Sequence, residues 1–154
     1  MAASLTASGL VMPASQSAAG DVNTLDDYEE GSFTATMTGT TGAPSASCTS
    51  SAWYTKIGNL IFFNIRRFSA INVNGASGSV KITGLPFSTG TSWCTSSLSC
   101  YRFEMAQDGN TVFEGYADYM IGLESHDDAV WTDWGIAADG NSRYMAITGI
   151  YHIP

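Results

Sequence analysis

The chain has 154 residues, the size of one folding unit and enough to enclose a sizeable core. Apolar residues make up 44% and aromatics 12%, which suits a packed globule, whereas charged residues, at 13%, are about half as frequent as in ordinary soluble domains. The net charge is −8, and nine acids lie between Arg102 and Arg143 with no Lys or Arg among them; that field repels phosphate backbones and anionic lipid, so nucleic acid is excluded as a partner.

Residues 1–23 are rich in Ala and Ser and hold one Pro, which predicts an extended stalk or linker ahead of a globular unit spanning 24–154. A basic amino-terminal region is lacking, so no secretory signal peptide is expected. The longest apolar run, Leu60-Ile61-Phe62-Phe63, is far short of the roughly 20 residues of a membrane span, and no membrane insertion is expected.

Leu25-Asp26-Asp27-Tyr28-Glu29-Glu30-Gly31-Ser32-Phe33-Thr34 then gathers four carboxylates around one tyrosine. Like charges held close must face water or a partner. The spacing predicts a short helical turn within 21–30, with Asp26 or Asp27 at its start where free N–H groups favour acids. A cation site or a subunit contact is the alternative.

From Ser32 onward the pattern is strand, turn, strand. Phe33, Ala35 and Met37 alternate with Thr34, Thr36 and Thr38, a period of two in β-favouring residues. Residues 39–52, mostly Gly, Thr, Ser and Ala, predict a long surface loop. Gly58-Asn59 then joins Trp53–Ile57 to Leu60–Phe68 as a tight hairpin. On the second strand Ile61, Phe63 and Ile65 are assigned to the core, with Asn64, Arg66 and Phe68 on the other face.

Asn74-Gly75 marks another reversal, after which Val80 and Ile82 point inward and Lys81 outward. Pro86 cannot donate within a ladder, so Gly84-Leu85-Pro86-Phe87 ends that strand. Tyr101, Phe103 and Met105 alternate with Arg102 and Glu104; Asp108-Gly109-Asn110 leads into one run over Thr111–Leu123, and Asp139-Gly140-Asn141 into Arg143–Ile153. The Ala-x-Asp-Gly-Asn element at Ala106–Asn110 and its tighter copy at Ala138–Asn141 read as repeated hairpin chemistry. Eight or so strands at this spacing predict an all-β, antiparallel β-sandwich, jelly-roll-like, with the strand order left undetermined.

No nucleophile elbow, P-loop or dinucleotide-binding glycine pattern occurs. His126 beside Asp127 and Asp128 resembles a base with its orienting acid, but adjacent strand residues point to opposite faces. The three cysteines, Cys48, Cys94 and Cys100, fix no pairing; one disulfide with a free thiol is open, and reduced thiols are the expectation for cytoplasmic assembly. They lack the converging ligands of a zinc site, so no cofactor is expected, while acid-rich turns leave calcium open. Glu114 and Asp118 suit glycoside hydrolysis only at a separation that sequence does not supply.

The strongest candidate surface is Glu124–Trp134, where Trp131 and Trp134 are interleaved with acids. A sugar presents C–H groups to an aromatic face, and its hydroxyls need acceptors such as Asp128 and Asp133. His126 and Tyr119 complete the candidate set, with Trp93 and Tyr116 as weaker members; burial of one or both tryptophans in the core is the competing reading.

Three segments carry a resemblance. Pro13-Ala14-Ser15-Gln16 with Asn23–Gly31, then Tyr54-Thr55-Lys56-Ile57-Gly58, then Thr83-Gly84-Leu85-Pro86-Phe87 resemble, in order, the head-domain family of tailed-phage tail fibres and tailspikes. The likeness covers roughly residues 12–90; Ser32-Phe33-Thr34-Ala35 stands where that family usually has Thr-Trp-Thr-Pro. The resemblance implies a non-enzymatic virion attachment module, three-fold like the fibres it resembles, assembled in the host cytoplasm and joined to the remainder of the fibre or tail. It would bind a bacterial surface glycan or outer-membrane protein. A structural trimerising cap and the end domain of a polysaccharide depolymerase are the alternatives. The family pattern transfers no catalytic or ligand residue.

Overall fold

A computed structural model gives the fold, describing residues 4–11, 27–71, 73–89, 93–101, 111–125, 130–136 and 143–154. Among these residues there are eleven strands and no helix. Ser4–Thr6 (β1) and Gly9–Val11 (β2) pair antiparallel with Leu5 opposite Leu10, so residues 4–11 form a hairpin where the sequence predicts an extended run. The turn is possible because Gly9 takes a positive φ that L side chains avoid.

The remaining strands are Tyr28–Gly39 (β3), Cys48–Ile57 (β4), Leu60–Ile71 (β5), Val80–Thr83 (β6), Trp93–Tyr101 (β7), Thr111–Tyr116 (β8), Tyr119–Glu124 (β9), Thr132–Asp133 (β10) and Arg143–His152 (β11). They form one antiparallel sheet in the order β10-β9-β6-β3-β4-β5-β11-β7-β8, and β8 also pairs with β9. That last pairing joins eight strands into a ring, and β10 extends β9 beyond the end of β6. The expected all-β antiparallel class is therefore found as a nearly closed, barrel-like sandwich. Two meanders, β3-β4-β5 and β7-β8-β9, are joined through β6 and β11. Closure leaves few unpaired strand edges.

Alternation decides what fills the interior. Ala35 and Met37 on β3, Ile61, Phe63 and Ile65 on β5, Ile82 on β6, Phe113 on β8, Met120 on β9, and Met145, Ile147 and Tyr151 on β11 are all buried. An eight-stranded ring is about as wide as such side chains can fill, so the interior is core and not a channel. The inward assignment of Ile61, Phe63 and Ile65 holds, as does that of Val80 and Ile82.

Four expectations change. From Tyr28 on the acidic segment is strand, not helical turn: Tyr28, Glu29 and Glu30 begin β3, because cross-strand partners on β4 outweigh local capping. Residues 21–26 of the expected turn lie outside the described residues. β4 starts at Cys48, inside the expected loop; its inward residues Cys48, Ser50 and Ala52 are small, and so read as loop. Phe68 is buried although Asn64 and Arg66 are exposed. Ile65 pairs with Ile147 but Phe68 pairs with Met145, so β5 carries one extra residue there, a bulge that leaves Arg66 and Arg67 both outside and turns Phe68 inward. Finally, 111–123 is a hairpin, reversing at Ala117-Asp118 with Ala117 in a left-handed conformation. The alternation over 102–105 and the Asp108-Gly109-Asn110 and Asp139-Gly140-Asn141 turns lie outside the described residues.

The described residues of the segments that carry the family resemblance, 27–31, 54–58 and 83–87, meet at one end of the ring. Lys56, buried on β4, forms an ion pair with Asp27, and the Gly58 N–H donates to the Asp27 carbonyl at 2.7 Å. The Phe87 ring stands edge-on to Tyr54 at 5.3 Å and lies 5.8 Å from the Lys56 ammonium, while its carbonyl accepts the Tyr151 hydroxyl at 3.2 Å. The acid cluster is dispersed by the same contacts. Tyr54 donates to Glu29 and Tyr28 to Glu30, and strand alternation sends those two carboxylates to opposite faces. These motif residues tie the chain's entry to the ring into its core; their role here is structural.

Candidate functional site

The predicted surface residues separate. Trp134 is 1% exposed, its ring 6.5 Å from Phe113, and it belongs to the core. Space for it comes from Gly122 on β9, where an added Cβ would lie 2.9 Å from Trp134 Cε3. The receptor assignment of Trp134 is thus corrected: a ring enclosed on both faces has none to offer a ligand. Trp131, three residues earlier, is 42% exposed. Asp133 is exposed and accepts a 2.7 Å hydrogen bond from the Ser79 hydroxyl. His126 and Asp128 lie outside the described residues.

Tyr119 sits in a group that the sequence only partly indicated. On the outer face of the ring, Tyr116 of β8 pairs in register with Tyr119 of β9, which pairs with Thr83 of β6; the next row is Glu114, Ile121 and Lys81. The two tyrosine rings stack nearly parallel, 12° apart with centroids at 5.7 Å. The Lys81 ammonium lies 3.9 Å from the Tyr119 ring centre. A cation over a negative ring face and an offset ring stack both stabilise, each by roughly 0.5–1.5 kcal/mol at such sites. Tyr119 is therefore engaged from two neighbouring strands, and Tyr116 and Trp131 are the more available rings. The sequence offers Tyr116 only as a weaker candidate and gives no local signal for Lys81; the register brings both onto Tyr119.

Tyr116 donates to Glu114 Oε2 at 2.5 Å. That hydrogen bond, with desolvation and the nearby charges of Glu114 and Asp133, pushes the phenol up to about 12. Tyr54 is likewise pushed up to about 12, first by its hydrogen bond to Glu29. The folded values exceed the ordinary value near 10. The stabilisation is therefore complete below about pH 10 and is lost as pH rises toward 12. Phenolate absorbance of the folded chain should show late-ionising groups that include Tyr54 and Tyr116, each removed by its own substitution, Tyr54→Phe or Tyr116→Phe. Tyr28, raised first by its hydrogen bond to Glu30, ionises late as well. Titration of every tyrosine together near pH 10 would contradict these contacts.

Among the described residues, no three His, Cys, Asp or Glu side chains gather into a group able to hold a metal ion. Cys48 is buried, its thiol donating to the Ala46 carbonyl at 3.6 Å. The outer face of β8, β9 and β6 combines the Tyr116 and Tyr119 rings with the Glu114 carboxylate and the Lys81 cation, and Asp133 lies close enough for its charge to act on Tyr116. Exposed Trp131 directly precedes β10. Rings and carboxylate acceptors of this kind can orient a hydroxyl-bearing ligand. The class defined by fold and surface is an all-β antiparallel barrel-like sandwich with an aromatic and acidic outer face. The chain matches no family model, no curated protein and no solved structure.

Proposed function

We propose that the chain is the attachment head of a tailed-phage fibre, a non-catalytic module that binds a bacterial surface glycan or outer-membrane protein. It acts as three copies on the virion, assembled in the host cytoplasm and continuous with the remainder of the fibre or tail. The observations that carry the reading are the outer face of β8, β9 and β6, where exposed Tyr116 accompanies Glu114 with the Asp133 charge nearby, and the exposed Trp131 that directly precedes β10. Sugar C–H groups pack on such rings while carboxylates accept from hydroxyls. The motif segments supply the word phage, and the contacts among their described residues, Asp27, Tyr54, Lys56 and Phe87, are structural ones.

Trp131→Ala and Tyr116→Ala should each weaken adsorption of the purified protein to host cells by roughly two- to tenfold, the worth of one ring contact. Both residues are exposed, so the thermal midpoint should change little. A glycan receptor gives adsorption indifferent to added salt, since the contacts are short-range; a basic protein receptor gives adsorption that salt screens. Equal adsorption by wild type and both folded variants would remove the site from this face.

A further inference from the structure

Acids are distributed unevenly around the ring. No Asp or Glu occurs between Gly31 and Phe103 or between Gly140 and Pro154, so the neighbouring strands β4, β5, β11 and β7 carry none. Glu114, Glu124 and Asp133 lie on β8, β9 and β10, and Asp118 in the turn between β8 and β9. In the eight-strand order β4 stands across from β8, β5 from β9, and β11 from β6. The proposed attachment face and the acid-free half are therefore on opposite sides.

Large apolar side chains lie exposed on that acid-free side. Trp53 is 46% exposed, Ile57 43%, Phe62 40% and Ile150 36%. Register places them in three successive rows across β4, β5 and β11: Trp53-Asn64-Thr148, Thr55-Phe62-Ile150, and Ile57-Leu60-His152. All are on the outer surface, because the intervening Ile61, Phe63 and Ile65 fill the core. Contiguous apolar groups on one sheet face are the mark of an interaction surface.

Charge identifies the occupant. Each copy of the chain carries a net charge of −8, so identical copies repel unless they approach through a side without acids and keep their acidic sides apart. The outer side of β4, β5 and β11 comes nearest to both conditions: its own strands carry no acid, and the nearest carboxylate, exposed Glu30 of β3 opposite Thr55, stands at its border. We infer that the outer face of β4, β5 and β11 is the surface through which copies of this chain assemble, with Trp53, Phe62 and Ile57 forming successive apolar layers and β8, β9 and β6 turned outward. The inference rests on the three-copy reading above and assigns its buried face. Closed rotational symmetry lets each copy bury the same patch.

The test is the solution mass of the full chain by light scattering at micromolar concentration, for wild type, Phe62→Glu, Trp53→Glu and Thr132→Glu. Thr132 is exposed on β10, in the acidic half, and serves as the control. Wild type and Thr132→Glu should give about three times 16.3 kDa, and the two face variants should fall to 16.3 kDa with unchanged circular dichroism. If Phe62→Glu does not fold, Trp53→Glu and Ile150→Glu carry the same comparison. Face variants that fold and keep the wild-type mass would overturn the assigned face and leave assembly standing. A wild-type mass of 16.3 kDa would overturn both. The expected masses with no adsorption to host cells by any variant would sink the attachment reading while supporting the face.

Discussion

Trp134→Ala is expected to destabilise the protein by about 3–5 kcal/mol, the usual cost of emptying a large aromatic core site. The ring is almost fully enclosed, lies against Phe113 and occupies the space that Gly122 leaves open. Its backbone adds to the dependence: the Trp134 N–H donates to the Gly122 carbonyl at 2.8 Å, and its carbonyl accepts from the Val80 N–H at 2.8 Å. A truncated side chain leaves a cavity between β9 and the segment after β10, which relaxation fills only in part. Urea unfolding with tryptophan emission as the probe measures the loss. A change below about 1 kcal/mol, the range of an exposed site, would place this ring on the surface after all.

Phe63→Ala should cost a similar amount, about 3–5 kcal/mol, for a different reason. Phe63 is 2% exposed and its ring centre lies 5.8 Å from that of Tyr151, whose hydroxyl holds the Phe87 carbonyl. Removing the Phe63 ring takes away one wall of Tyr151 and loosens the end where Tyr54, Lys56 and Phe87 meet. The two sites lie in different parts of the ring, so the double variant should lose nearly the sum. A wild-type unfolding midpoint for Phe63→Ala would mean that β5 has the opposite face inward.

Local chemistry was readable and distant pairing was not. Gly58-Asn59 reads as a hairpin because the turn and both flanking strands lie within one short window, and the structure has that hairpin, with Gly58 at positive φ. Simple alternation puts Phe68 outward because it carries through a bulge that only the pairing with β11 reveals. The Asp27 carboxylate finds Lys56, 29 positions later, and the residues after it run as strand, so its sequence neighbours do not reveal its partner.

The candidate surface divides in the same way. Trp131 and Trp134 looked equivalent as two tryptophans among acids, yet one is exposed and the other enclosed. The difference rests on Gly122, a residue from another strand that offers the indole a place. Tyr119 was selected from sequence, but the partners that define its surroundings, Tyr116 and Lys81, arrive from β8 and β6 through the register. Small inward residues hid the start of β4 for a related reason: Ser50 and Ala52 lack the bulk that makes a strand visible as alternation.

Attachment without catalysis is tested most directly by calorimetric titration of the purified chain with surface polysaccharide and outer-membrane protein from a panel of bacteria, with reducing ends assayed in the same samples. The expected result is saturable binding to one of these preparations, weakened in Trp131→Ala and Tyr116→Ala, with no new reducing ends. Release of reducing ends, or binding that both folded variants retain in full, would contradict it.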